Sequence, residues 1–208
     1  QSRDVGTLSR ESSPAIAIDP TGVIYVVWED RLEGTEDYPD IYFATSINIG
    51  QTFPTNKFIA NAGRRPAVTI DSLGVAYVVW EDLTGFPGVQ TPSNTHIKMM
   101  RIENGVVPGS TRQIDSPSSP YDNARFPAIA AGIAGKVYVV WERALILNPG
   151  FRGETIFPYY IDFATVNGPT LDMLSPPLLF PDIPDVVGVY GGPAYPAITT
   201  DDSGNIYV

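Results

Sequence analysis

The chain has 208 residues, 43% apolar and 17% charged, an ordinary globular composition that excludes disorder over most of its length. Its formal net charge is −10 and Arg64-Arg65 is its only adjacent basic pair, which excludes a nucleic-acid partner held by clustered lysine and arginine. No cysteine is present, so disulfides, thiolate zinc sites and thiol nucleophiles are excluded, and no apolar run reaches the roughly 18 to 20 residues of a membrane span.

In chain order, residues 6–10 stand where an outer strand would close a ring against the last unit. From residue 14 the chain reads PAIAIDPTGVIYVVWED, which returns as PAVTIDSLGVAYVVWED at 66–82 and as PAIAAGIAGKVYVVWE at 127–142. A fourth copy opens at 196–208 as PAITTDDSGNIYV. Repetition of this kind marks a fold of like supersecondary units, none of which can bury its apolar faces alone.

Each unit opens with a strand of alternating small and large residues, followed in the first, second and fourth units by an Asp-to-Gly turn in which glycine supplies positive φ and aspartate caps backbone donors. The second strand (23–28 in the first unit) is apolar on both faces, as expected for a sheet sandwiched between neighbours. Third strands are predicted at 40–45, 97–101 and 161–165, and fourth strands at 57–60, 112–115 and 178–180. Long connections over 143–160 and 176–195 are the expected place for specificity.

The 19 glycines and 20 prolines lie between the apolar runs, far above an average share of roughly 12%, which calls for many short elements and turns. Four-stranded units without a helical period predict an all-β propeller, with blades at about 14–60, 66–115, 127–181 and the first hairpin of another at 196–208. Three and a half blades fall short of the roughly four of the smallest rings, so completion by further chain or by self-association with a second copy is expected.

The turn after the first unit's third strand reads Ser46-Ile-Asn48-Ile-Gly50-Gln-Thr52-Phe53. It resembles the Asp-box of sialidases and other bacterial neuraminidase repeat (BNR) propellers. The resemblance implies a structural turn, opposite the active face, whose aromatic ring plugs between strands. The second and third units have Glu103-Asn-Gly105 and Asn167-Gly-Pro169 at that place, without the box.

The start of the first strand and the end of the second share one rim, where Arg64, Arg65 and Arg125 gather with Glu29, Asp30, Glu81, Asp82 and Glu142. Arg125-Phe-Pro resembles the sialidase segment whose arginine clamps a substrate carboxylate, as a guanidinium fork can. Arg125, Arg65, Glu81 and Asp82 are then the catalytic candidates, and Arg64, Arg65, Arg125, Glu29, Asp30 and Phe151 the ligand-binding ones. The competing reading is structural, because a carboxylate repeated around a ring usually caps strand ends or pairs with neighbours.

Tyr190 and Tyr195 are the tyrosines outside the repeat that could serve as a sialidase-type nucleophile. Asp30, Glu36, Asp37 and Asp40 offer oxygen ligands to Ca2+, against the simpler reading of a solvated acidic loop. His96, the only histidine, has no second histidine or cysteine to share a metal. Phe86 and Tyr38 share with Phe151 a loop position suited to stacking on sugars or to packing their own loops.

The functional expectation is a non-catalytic extracellular or cell-surface recognition propeller that binds a glycan or protein through its rim loops. The alternatives are an exo-acting sialidase-type glycoside hydrolase and a structural building block of a surface layer or filament.

Overall fold

The computed structural model describes residues 9–32, 38–54, 56–84, 95–105, 110–116, 122–147, 155–174, 178–179 and 195–208. The first sheet is β1 (Ser9–Ile18), β2 (Ile24–Leu32), β3 (Asp40–Ser46) and β4 (Asn56–Ala60), antiparallel in that order. The second repeats it with β5 (Gly63–Ile70), β6 (Ala76–Asp82), β7 (His96–Ile102) and β8 (Arg112–Gln113). The third has β9 (Asp122–Ala131), β10 (Lys136–Leu147) and β11 (Thr155–Asn167), with two short outer strands, β12 (Asp172–Met173) and β13 (Leu178–Leu179), both paired to β11. A hairpin of β14 (Thr199–Thr200) and β15 (Ile206–Tyr207) opens the fourth unit.

Among the described residues the helical structure is confined to a 3-10 turn, Ile133–Gly135, and no helix is long and apolar enough to cross a membrane.

The inner hairpins turn on one device. Asp19 Oδ1 accepts the N–H groups of Thr21 and Val23, Asp71 Oδ1 those of Leu73 and Val75, and Asp201 Oδ1 those of Ser203 and Asn205, all at 2.8–3.0 Å. Burial pulls Asp19 upward, but the bonds from Thr21, Val23 and Gly22 outweigh it and hold the carboxyl below its ordinary value. The strand tyrosine closes the turn in two units: Tyr77 and Tyr207 each donate their hydroxyl to the other aspartate oxygen at 3.0 Å. The third unit has Gly132 in the aspartate's slot, and a Cβ there would stand 2.3 Å from the Tyr138 ring, so the chain takes the 3-10 turn instead.

The core lies between sheets. Tyr25, Val27, Ile41 and Phe43 of the first sheet meet Ala76, Val78, Trp80 and Met100 of the second. Tyr77, Val79, Ile97 and Met99 on the second sheet's other face meet Val137, Val139, Trp141 and Val166 of the third. The second sheet is therefore covered on both faces, and all of β6 from Ala76 to Asp82 is buried. In β2 only every second residue from Tyr25 to Glu29 is buried, because among the described residues the first sheet is covered on one face alone; the expectation that 23–28 is sandwiched is not met among them for that reason.

Two expected boundaries shift. Ser9 and Arg10, expected in an outer closing strand, belong to β1 and pair with Leu32 and Arg31; residues 6–8 lie outside the described residues. The connection expected over 143–160 is mostly strand, since β10 and β11 stay paired out to Leu147 and Thr155. Pro158 is accommodated at the register shift between Ala144 and Ile146, where a missing ladder donor is tolerated.

Candidate functional site at the ring mouth

Each inner strand is kinked just before its proline. The register slips between Ser12 and Ala15, between Arg64 and Ala67, and opposite Val140 and Glu142. The residues preceding the prolines, Ser13, Arg65 and Phe126, have φ of +50°, +49° and +53°. A left-handed non-glycine residue before proline is disfavoured on both counts, at a cost on the order of 1–3 kcal/mol each.

Buried glutamates hold this strained geometry. Glu29 Oε1 of the first sheet accepts the Arg65 N–H of the second at 2.6 Å, and Glu81 Oε1 of the second accepts the Phe126 N–H of the third at 2.7 Å. Each glutamate also takes a side chain from the inner strand of its own sheet. Ser12 donates to Glu29 at 3.1 Å, Arg64 lies 3.7 Å from Glu81, and Arg125 donates to Glu142 Oε1 at 2.6 Å. Arg65 adds two 2.8 Å bonds from its Nη1 to the two Glu81 oxygens. Glu81 and Glu142 are fully buried and Glu29 nearly so. Burial presses the Arg64 guanidinium below its ordinary pKa, while Glu81 pulls the other way.

The geometry therefore brings together Arg64, Arg65, Arg125, Glu29, Glu81 and Glu142 of the predicted site residues. It adds Phe126, which sequence reasoning left out, and sets beside it Tyr195, the tyrosine considered above as a nucleophile. The Arg65 guanidinium lies 4.2 Å from the centre of the Phe126 ring, Arg125 lies 5.5 Å from it, and Tyr195 meets Phe126 edge to face at 4.4 Å. Tyr195 is 69% exposed. The signal was available in position: Ser13, Arg65, Phe126 and Tyr195 all stand immediately before a repeat proline.

Asp82 is placed apart from this mouth, held by Lys98 at 2.9 Å and by the Thr84 hydroxyl at 2.6 Å. Asp30 and Asp40 face each other across β2 and β3; Glu36, Asp37, Phe86, Phe151 and Tyr190 lie outside the described residues. Among the described residues no group of three or more His, Asp and Glu side chains is placed to hold a metal ion. His96 Nδ1 is 2.9 Å from Asp115 Oδ2, and that bond raises its pKa above the ordinary value although burial opposes it.

At the opposite rim, Ser46 Oγ accepts the Gly50 N–H at 2.9 Å and Asn48 Oδ1 accepts the Thr52 N–H at 3.0 Å, so 46–52 is a self-contained polar turn. Ser46 donates to Asn48 Oδ1 at 2.8 Å and Asn48 Nδ2 to Thr52 Oγ1 at 2.8 Å. The ring of Phe53, which the resemblance implied would plug between strands, is 39% exposed.

Solved structures share this architecture. The xylan beta-1,4-xylosidase from Bacillus Halodurans C-125 aligns with a TM-score of 0.58 at 14% identity, over 97% of this chain and 37% of its own. The ulvan lyase of polysaccharide lyase family PL25 gives 0.58 at 13% identity, over 93% of this chain and 49% of its own. The Penicillium chrysogenum alpha-L-arabinanase complexed with arabinobiose gives 0.54 at 10% identity, over 94% of this chain and 72% of its own. The chain folds as blades of a β-propeller. It spans only about a third of the xylosidase and half of the lyase. No protein-family model matches the chain, and no curated protein matches its sequence.

Within the propeller the Arg-Phe-Tyr group sits at the inner-strand end of the ring. There the innermost strands of successive blades converge, and a ligand on the axis would touch several blades at once.

Proposed function

We propose that this propeller is a carbohydrate-recognition module of the cell surface or extracellular space that binds an acidic glycan at the ring mouth without cleaving it. The observation that carries the reading is the occupation of the rim glutamates. Glu29 and Glu81 each accept a backbone N–H from the next blade, and Glu81 and Glu142 also hold guanidinium groups. A general acid or base must exchange its proton with a substrate, and these carboxylates are buried and already committed to the scaffold. The outer faces of Tyr195, Phe126 and Arg65 supply what binding needs: an aromatic surface for a sugar ring and a cation for its carboxylate. The polar turn at 46–52 supports kinship with BNR propellers, in which such turns are structural.

The likeness to a xylosidase, an arabinanase and a lyase favours a second reading, a glycan-cleaving propeller whose acid and base lie on other blades. An oligosaccharide panel separates the two. The first reading expects binding to uronate-bearing oligosaccharides without product formation, weakened about tenfold in Tyr195→Ala. Release of reducing ends or of unsaturated products from any panel member would refute it and support the second.

A further inference from the structure

The three rim glutamates stand at one repeat slot but are not equally compensated. Each faces, across its own sheet, the residue two before the repeat proline: Ser12 opposite Glu29, Arg64 opposite Glu81 and Arg125 opposite Glu142. A guanidinium therefore stands beside the second and third carboxylates, and a serine hydroxyl beside the first. Glu81 has four close contacts, from the Phe126 N–H, twice from Arg65 Nη1 and once from Arg64. Glu29 has two, from the Arg65 N–H at 2.6 Å and the Ser12 hydroxyl at 3.1 Å. A carboxylate offers about four acceptor positions, so among the described residues Glu29 keeps half of its capacity.

Arg64 senses the Glu29 charge from a distance but is seated at Glu81. Glu29 is nevertheless only 8% exposed, and a carboxylate so nearly buried without a paired cation bears a desolvation cost that a cation would offset. Ser12 is exposed, so the position that a guanidinium fills in the next two blades is reached from the mouth. We propose that Glu29 and Ser12 form a subsite for an ammonium group, so that the mouth takes a glycan in which a uronate neighbours a hexosamine with a free amine. The ammonium stands where the second and third blades place a guanidinium, the carboxylate meets Arg65 on the adjacent inner strand, and Phe126 and Tyr195 face a sugar ring. This deepens the acidic-glycan reading and rests on it. A metal ion fits the slot less well, because it asks for several oxygen ligands and among the described residues no group of three or more His, Asp and Glu side chains is placed to hold one.

The test is a calorimetric titration of the full-length protein with one uronate–hexosamine disaccharide, its amine free, and with the same disaccharide N-acetylated. The free amine should bind about tenfold tighter or more, the gain of one charge-assisted pair. Ser12→Arg, which gives the first blade the residue of the next two, should abolish that difference. Glu29→Gln, which keeps an acceptor for the Arg65 N–H, should abolish it as well. Equal affinities in the unaltered protein, both weakened by Tyr195→Ala, would overturn this proposal and leave the acidic-glycan reading standing. A preference that survives Ser12→Arg would also overturn it, since the amine would then be read elsewhere. Calcium chloride that displaces the free-amine ligand and not its N-acetylated form, at constant ionic strength, would assign the subsite to a metal instead. Failure of both disaccharides to bind would refute the acidic-glycan reading and this proposal with it.

Discussion

Replacing Glu81 by alanine tests whether the rim glutamates are scaffold. The carboxylate is fully buried. Its loss strands the Phe126 N–H, bonded at 2.7 Å, and removes both 2.8 Å bonds to Arg65 together with the nearby Arg64 charge. Removing one partner of such a buried group costs about 3–5 kcal/mol, and unfolding midpoints move by about 2–4 °C per kcal/mol in a domain of this size. A fall on the order of 10 °C is expected in Glu81→Ala by calorimetry, with about 3–5 kcal/mol lost in urea titration. Glu103→Ala serves as the control, because that carboxylate is half exposed on its partner Arg101 and should change stability by less than about 1 kcal/mol. Equal, small effects of the two substitutions would refute the reading of Glu81 as an inter-blade tie and reopen it as a catalytic group.

Trp80→Ala should cost about 3–5 kcal/mol, since the ring is fully buried between two blades, and it should lower the urea midpoint more than Trp28→Ala does in residues 1–208. Asp71→Ala leaves the buried Tyr77 hydroxyl and the Leu73 and Val75 amides without their acceptor and should cost about 2–3 kcal/mol by the same titration. Asn48→Ala opens the exposed polar turn and should cost only about 1 kcal/mol. His96 has a raised folded-state pKa, so its bond to Asp115 contributes stability fully present below the unfolded value near 6.5 and lost as pH rises through the folded one. The single imidazole signal should titrate above that value by NMR, and His96→Gln should remove the loss of stability over that interval.

The propeller was legible because its repeats carry their own grammar. The aspartate that caps the inner turn in three units, the glycine after it and the Val-Val-Trp-Glu strand end are local in sequence, and each does in space what its type suggests. The structural reading of the glutamates was also available, since a group recurring at one slot in successive blades serves a contact that recurs. The partner of that contact was hidden, because a backbone N–H leaves no mark in composition and Glu81 finds Phe126 across 45 positions of chain. Phe126 escaped notice for a related reason: the repeat slot before proline holds Ser13, Arg65 and Phe126 in successive units, and what these three share is a backbone angle and not a residue type. The outer ends of β10 and β11 were taken into the connection over 143–160, because the pairing that extends them to Leu147 and Thr155 appears only once the strands meet.

The two glutamate–amide ties at the mouth point the same way along the chain: the carboxylate comes from the earlier blade and the amide from the later one. Folding during synthesis then has a direction. β5 and β9 leave the ribosome with the acceptors of Arg65 and Phe126 already made. Synthesis from the N-terminus thus lays down each of these two acceptors before its donor.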